Sequence, residues 1–234
     1  MKGLSFNGEM MKAWLAGNKA VTRRPMRTQP YFQPSGACGY PTPASHGNKR
    51  WRHYASEKHF RRGIAQDFAP YLPGETVYIK ETYWKWGKWV KNGLTRSGTQ
   101  AWKFTPVPTF VPTLAKSVSF EQHEKIPRTE TGWHKRLARF MPACDARSLA
   151  RTVSVRPERV QEITEEDAIR EGIGYGFQMN AGWPDYQHIV NGVCTLTQDD
   201  AVSSFISLWD TLYPGSWERN DWEWRIELEK RRVR

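Results

Sequence analysis

Cysteine is scarce in this chain. Only Cys38, Cys144 and Cys194 occur in 234 residues, and no CxxC pair is among them. An odd, widely spaced set argues against a disulfide framework and against a cysteine-based zinc site. Free thiols point to a reducing compartment, so a cytoplasmic location is expected. Long apolar runs are also missing. No stretch approaches the roughly 20 apolar residues of a membrane span, and no membrane partner is expected. The opening MKGLSFNGEMMKAWL carries Glu9 and lacks the apolar core of a secretion signal. His46, His53 and His59, with Cys38, match no common zinc spacing, so neither a metal nor a cofactor is expected. The Gly172–Gly176 region has no GK[ST] behind it, which excludes a phosphate loop of that kind. There is no internal repeat.

Acidic residues are in deficit. Lys and Arg number 35 against 24 Asp and Glu, a formal net charge of +11. Such a balance favours polyanionic partners: RNA, single-stranded nucleic acid or nucleotides. Tryptophan is abundant, with 12 residues, while the hydrophobic fraction is only 38%. Large flat side chains must therefore supply much of the core, and each buried indole N–H needs a partner. The length suits one large domain with insertions or two small ones.

Local pattern supplies the elements. Asn7 can cap a helix with Met10, Met11, Trp14 and Leu15 on one face, ended by Gly17. A β-prone segment, Ala20 to Arg24, follows and stops at Pro25. Residues 27–70 are rich in turn formers and then in basic and aromatic residues. Seven Lys or Arg face Glu57 and Asp67 there, a net +5, and the stretch reads as a surface insertion. After the Pro73-Gly74 turn, Glu75 to Trp84 alternates as one strand. Val77, Ile79, Glu81 and Tyr83 share a face, so Glu81 points inward with the apolar residues. An inward carboxylate is costly without partners, which is a first sign of a site.

Residues 85–135 read as a second irregular stretch, and 174–196 as a third. A β-rich segment around Ser148–Val155 and a strand from Glu158 to Ile163 lie between them. Thr164 and Asp167 form a capping-box-like start to a helix with Ala168 and Ile169 inside, closed by Gly172. Thr197 is placed to cap a helix whose stripe is Val202, Phe205, Ile206, Trp209 and Leu212. In the last strand, Trp222, Trp224, Ile226 and Leu228 face in, while Glu223, Arg225 and Glu227 face out.

The pieces Gly17-Asn18-Lys19-Ala20-Val21-Thr22-Arg23-Arg24-Pro25, Pro73–Trp84, Met141-Pro142 with Arg147, Val155–Gly172, Phe205–Asp210 and Asn220–Leu228 resemble ASCH-domain proteins of bacteriophages and prophages. The resemblance implies an α+β fold: a PUA-like mixed β-barrel with peripheral helices. It also implies one domain over 1–234, with long loop insertions at about 27–70, 85–135 and 174–196. A cleft for RNA, nucleotides or modified nucleosides is implied too. Small bacterial ASCH enzymes similar to this chain hydrolyse the acetyl amide of 4-acetylcytidine with a Lys, a Thr three residues later and a Glu on a following strand. Those roles carry over onto Lys19, Thr22 and Glu81.

In such chemistry Thr22 would be the nucleophile and Lys19, once neutral, the base. A free Lys has a pKa near about 10.4, so it must be lowered substantially. Glu81 would orient the site, hold an amino group or pass a proton. Lys19 and Thr22 converge only if the chain bends between them, because residues three apart on a strand point oppositely. Arg23 and Arg24 could hold a phosphate or a carbonyl oxygen, and Arg147 occupies a position that matches the family. Tyr83 and Trp84 could stack on a base. Lys49, Arg50, Trp51, Arg52, Arg61 and Arg62 are candidate nucleic-acid contacts. Three uses remain open: hydrolysis, binding without chemistry, and a role in phage assembly or host interaction.

Overall fold

The computed structural model describes residues 1–42, 50–107, 126–176, 182–190 and 193–231. Its strands are β1 (Lys2–Ser5), β2 (Val21–Pro25), β3 (Tyr31–Phe32), β4 (Cys38–Thr42), β5 (Arg50–Tyr54), β6 (Thr76–Lys80), β7 (Tyr83–Leu94), β8 (Gln100–Pro106), β9 (Gly132–Arg136), β10 (Leu149–Arg159), β11 (Trp183–Pro184), β12 (Ile189–Val190), β13 (Val193–Cys194), β14 (Thr197–Gln198) and β15 (Trp222–Arg231). The α-helices are α1 (Gly8–Ala16), α2 (Glu57–Phe68), α3 (Glu165–Arg170) and α4 (Ala201–Leu212). The fold is α+β with several sheets and few helices. Among the described residues, no helix is long and apolar enough to cross a membrane.

The central sheet has the order β1-β6-β10-β15-β2. Only β1–β6 is parallel; β10 pairs antiparallel with both β6 and β15, and β15 with β2. Among the described residues no strand pairing joins β1 to β2, so the sheet is not a closed barrel. Its two ends are nevertheless bridged, because the Arg24 guanidinium donates to the Ser5 carbonyl.

One face of this sheet carries the larger core. Val77, Ile79, Ala150, Val155, Trp222, Trp224, Ile226 and Leu228 meet Phe6, Met11 and Trp14 there. The expected inward set of the last strand is thus buried as read. The 27–70 stretch differs from its reading as a surface insertion. Its strands β3, β4 and β5 form an antiparallel sheet. Phe32, Cys38, Tyr40, Tyr54, Phe60 and Ile64 belong to the same core. Phe60 meets Trp222 edge-on at 4.8 Å, and Phe32 stacks on Trp222 at 5.7 Å. The turn formers misled in part, since Gly39 and Pro41 lie within β4, and the apolar face of α2, capped by Ser56, is hidden among its basic residues.

Helix α1 starts at Asn7, whose side chain accepts from the Met10 amide, and ends at Gly17 in the left-handed region that glycine tolerates. Met11 and Trp14 are buried as expected, but Leu15 lies exposed. Residues 85–135 are not irregular throughout. Their described part, with Tyr83 and Trp84, forms an antiparallel sheet β8-β7-β9. In the third stretch, β11 pairs with β14 and β12 with β13. Thr197 belongs to that β11–β14 ribbon, and Asp200, not Thr197, caps α4. A second core of Val160, Ile163, Ala168, Ile173, Phe205 and Trp209 joins α3 and α4.

Candidate functional site

The second face of the central sheet is polar and nevertheless buried. Strand alternation and register explain how. Arg23 on β2 lies opposite Arg225 on β15, and Arg225 lies opposite Arg156 on β10; Glu223 lies opposite Glu158. These side chains share one face. Like charges directly opposite repel. Helix α3 supplies counter-charges from above: Asp167 and, at its C-terminal end, Glu171, four residues apart and so on one side of the helix.

The contacts are close. Asp167 takes Arg225 Nε and Nη2 at 2.7 Å each, and Arg23 Nη2 at 2.8 Å. Arg23 also reaches Glu158 at 3.2 Å, Glu171 at 3.5 Å and Glu223 Oε1 at 2.6 Å. The arginine hydrogen bonds to Asp167 hold its carboxyl well below the usual carboxylate range. Glu223 has no exposed side-chain surface, and burial pushes its pKa well above the usual value despite nearby Arg23. The buried cations Lys19, Arg23 and Arg225, with Arg156 pairing Glu158 at the open edge, face four carboxyls, Glu158, Asp167, Glu171 and Glu223.

Lys19 belongs to this network. Its ammonium is fully buried and donates to Glu171 Oε2 at 2.7 Å and to the Glu171 carbonyl at 2.6 Å. It also sits 5.3 Å from the Phe6 ring centroid. Burial lowers the Lys19 pKa, while Glu171 pulls it back up. Thr22 occupies the opposite face from Arg23, beside Ile226 in register. It is fully buried, and among the described residues its hydroxyl has no hydrogen-bond partner.

Glu81 does not continue its strand. Strand β6 ends at Lys80 and β7 starts at Tyr83 in another sheet, with Glu81 half-buried between them. Its carboxylate takes Arg147 in a fork, Nε at 2.6 Å and Nη2 at 2.7 Å. The two candidate residues Glu81 and Arg147 therefore meet each other. Among the described residues, no hydrogen bond or ion pair joins Lys19, Thr22 and Glu81 to one another.

The remaining candidates spread out. Arg24 bonds to the backbone carbonyls of Arg23 and Ser5. Tyr83 donates to the Phe140 carbonyl at 3.0 Å, and Trp84 is half-buried on β7. Arg61 pairs with Glu57 and Glu162 and lies 4.6 Å from the Trp222 ring centroid, which is a structural role. Arg52 approaches the Phe68 ring at 5.9 Å, and Arg62 is exposed. Lys49 lies outside the described residues, and Arg50 and Trp51 are described only as backbone of β5. A cleft of about 200 Å³ opens beside the ion network, lined by Asn7, Met10, Glu171, Gly172, Tyr186 and Leu208 among others.

Sequence reading missed Glu158, Glu171, Glu223 and Arg225 as parts of one polar centre. It gave Asp167 to helix capping, whereas Thr164 accepts from the Asp167 amide and the Asp167 carboxylate serves the arginines. The available signal was the run of charges at every second residue of two strands. In comparisons with known proteins, no family model, no curated protein and no solved structure matches this chain.

Proposed function

We propose that this protein is a nucleic-acid-binding module of the PUA-like, ASCH-resembling kind, acting on RNA or single-stranded DNA in a bacterial cytoplasm. The observation that carries this reading is where the charge lies. The ion network absorbs its charges almost completely, so the net +11 is carried outside it. The Arg24 bridge between the two ends of the central sheet supports the barrel-like part of the reading. Binding is favoured over chemistry because the Lys19 ammonium is committed to Glu171 and Glu81 to Arg147. The test is fluorescence anisotropy with labelled single-stranded RNA and DNA. Affinity is expected to fall by at least tenfold between about 50 and about 200 mM salt. Absence of binding, or binding indifferent to salt, discards the reading.

Hydrolysis of an acylated cytidine is a second reading. It is favoured by the partnerless Thr22 hydroxyl and by the burial that lowers the Lys19 pKa. It predicts release of cytidine from 4-acetylcytidine. Activity that persists undiminished in both Lys19→Ala and Thr22→Ala removes Lys19 and Thr22 from that role.

A further inference from the structure

The β8-β7-β9 sheet concentrates the basic charge. Its described residues, 83–107 and 126–136, hold eight Lys or Arg and one acid, Glu130, a net +7. Some of these cations are already used: Lys85 pairs with Asp145 at 2.8 Å, and Arg136 is packed 4.7 Å from the Trp89 centroid and 4.5 Å from Phe104. Lys88, Lys91, Arg96 and Lys103 are exposed and form no ion pair among the described residues.

Register then places the aromatics. Trp89 lies opposite Phe104, and Lys91 opposite Trp102. Residues two apart share a face, so Trp89, Lys91, Trp102 and Phe104 form one surface. Trp89 and Phe104 meet edge-on at 5.5 Å, and Arg136 stacks against both. Trp102 is half-buried, and among the described residues no ring packs on it. The surface therefore ends in an indole flanked by an exposed lysine. Lys88 and Lys103 lie on the reverse face, and Arg96 lies in the connecting turn.

We infer that this sheet is a platform for single-stranded nucleic acid, with a base stacked on Trp102 and phosphates drawn by Lys91 on the same face and Arg96 in the connecting turn. The inference rests on the nucleic-acid reading above and assigns its surface. A polyanion complements the net +7, and an indole face accepts any unpaired base. A duplex keeps its bases stacked on each other and offers a ring on this sheet only phosphates.

The experiment measures anisotropy of labelled single-stranded RNA, single-stranded DNA and a duplex of equal length with the intact chain. Trp102→Ala is expected to weaken single-strand binding roughly tenfold, and Trp102→Phe to restore most of it. A double Lys91, Arg96→Gln variant should lower the salt slope by about 1.4. Arg151→Gln, at an exposed position on β10 of the central sheet, is the control and should bind as the wild type does. Tight binding by the wild type with Trp102→Ala and the double variant both unchanged overturns this surface and leaves the general reading standing. Equal affinity for duplex, with no effect of Trp102→Ala, overturns the stacking. Absence of all binding overturns both.

Discussion

Lys19 and Glu171, 152 residues apart in the chain, form a fully enclosed ion pair at 2.7 Å. Burying an ammonium is costly, and a single carboxylate offsets only part of that cost. The Glu171 backbone carbonyl provides the second acceptor at 2.6 Å. Glu171→Ala therefore leaves a buried charge with one acceptor. It should cost about 3–5 kcal/mol in denaturant unfolding. Lys19→Met, which removes the charge as well as the pair, should cost clearly less than Glu171→Ala. The reverse order would mean that the pair stabilises beyond its burial cost.

Glu223 makes stability fall as pH rises above the ordinary carboxylate range. Its folded pKa is raised, chiefly by burial. The folded state then holds a proton that the unfolded chain releases above about pH 4.3. Stability consequently falls as pH rises from that value towards the folded pKa. Glu223→Gln keeps the shape of the protonated form and removes the titration. Its unfolding free energy should lack that decline, and near neutral pH the variant should equal or exceed the wild type. Thermal unfolding across pH 4 to 8 measures this. A wild-type profile parallel to the variant's would place the proton elsewhere.

Asp167 acts in the opposite direction. Its folded pKa is depressed by the Arg225 and Arg23 hydrogen bonds. Its stabilisation is complete above the unfolded pKa of about 3.9 and is lost as pH falls through the folded value. Asp167→Asn should be destabilised at pH 7, and its further loss between pH 5 and pH 2 should be smaller than that of the wild type. Acid titration followed by circular dichroism separates the two curves.

Much of this architecture was open to sequence reasoning where a residue's role depends on near neighbours. Asn7 and Gly17 bounded α1 because a cap needs only its own turn. Alternation in Trp222–Leu228 named the apolar face correctly. It could not reveal that Glu223 and Arg225 are covered as well. Their burial depends on β15 lying between β10 and β2 under α3, and on a register that brings Arg225 beside Arg23. Glu81 illustrates the same limit. Its inward phase was sound up to Ile79, but the chain leaves the sheet after Lys80, and Arg147, 66 residues away, captures the carboxylate. Periodicity carries no information about a partner that distant.

The three thiols should differ sharply in reactivity. Cys38 is buried, and burial pushes its pKa up to about 11, so little thiolate forms near neutral pH. Cys194 is also buried, with its Sγ donating to the Leu196 and Asp185 carbonyls. Cys144 is exposed. A disulfide reagent at pH 8 should modify one thiol per chain rapidly in the native protein and all three after unfolding. Cys144→Ser should abolish the fast phase. Two fast thiols in the wild type would place Cys38 or Cys194 in an open environment.

Phe60 tests whether 27–70 is dispensable. Its ring is fully buried and touches Phe32, Tyr54 and Trp222 edge-on. Trp222 stands on β15, next to the ion network, so this cluster links the segment to the centre of the fold. Phe60→Ala leaves a cavity among rigid rings that cannot collapse to fill it. The expected loss is about 3–5 kcal/mol in denaturant unfolding, comparable to a deep core truncation. A surface insertion would lose well under about 0.5 kcal/mol at the same position. The two values are far enough apart for one unfolding curve to decide, and the lower one would separate α2 from the core.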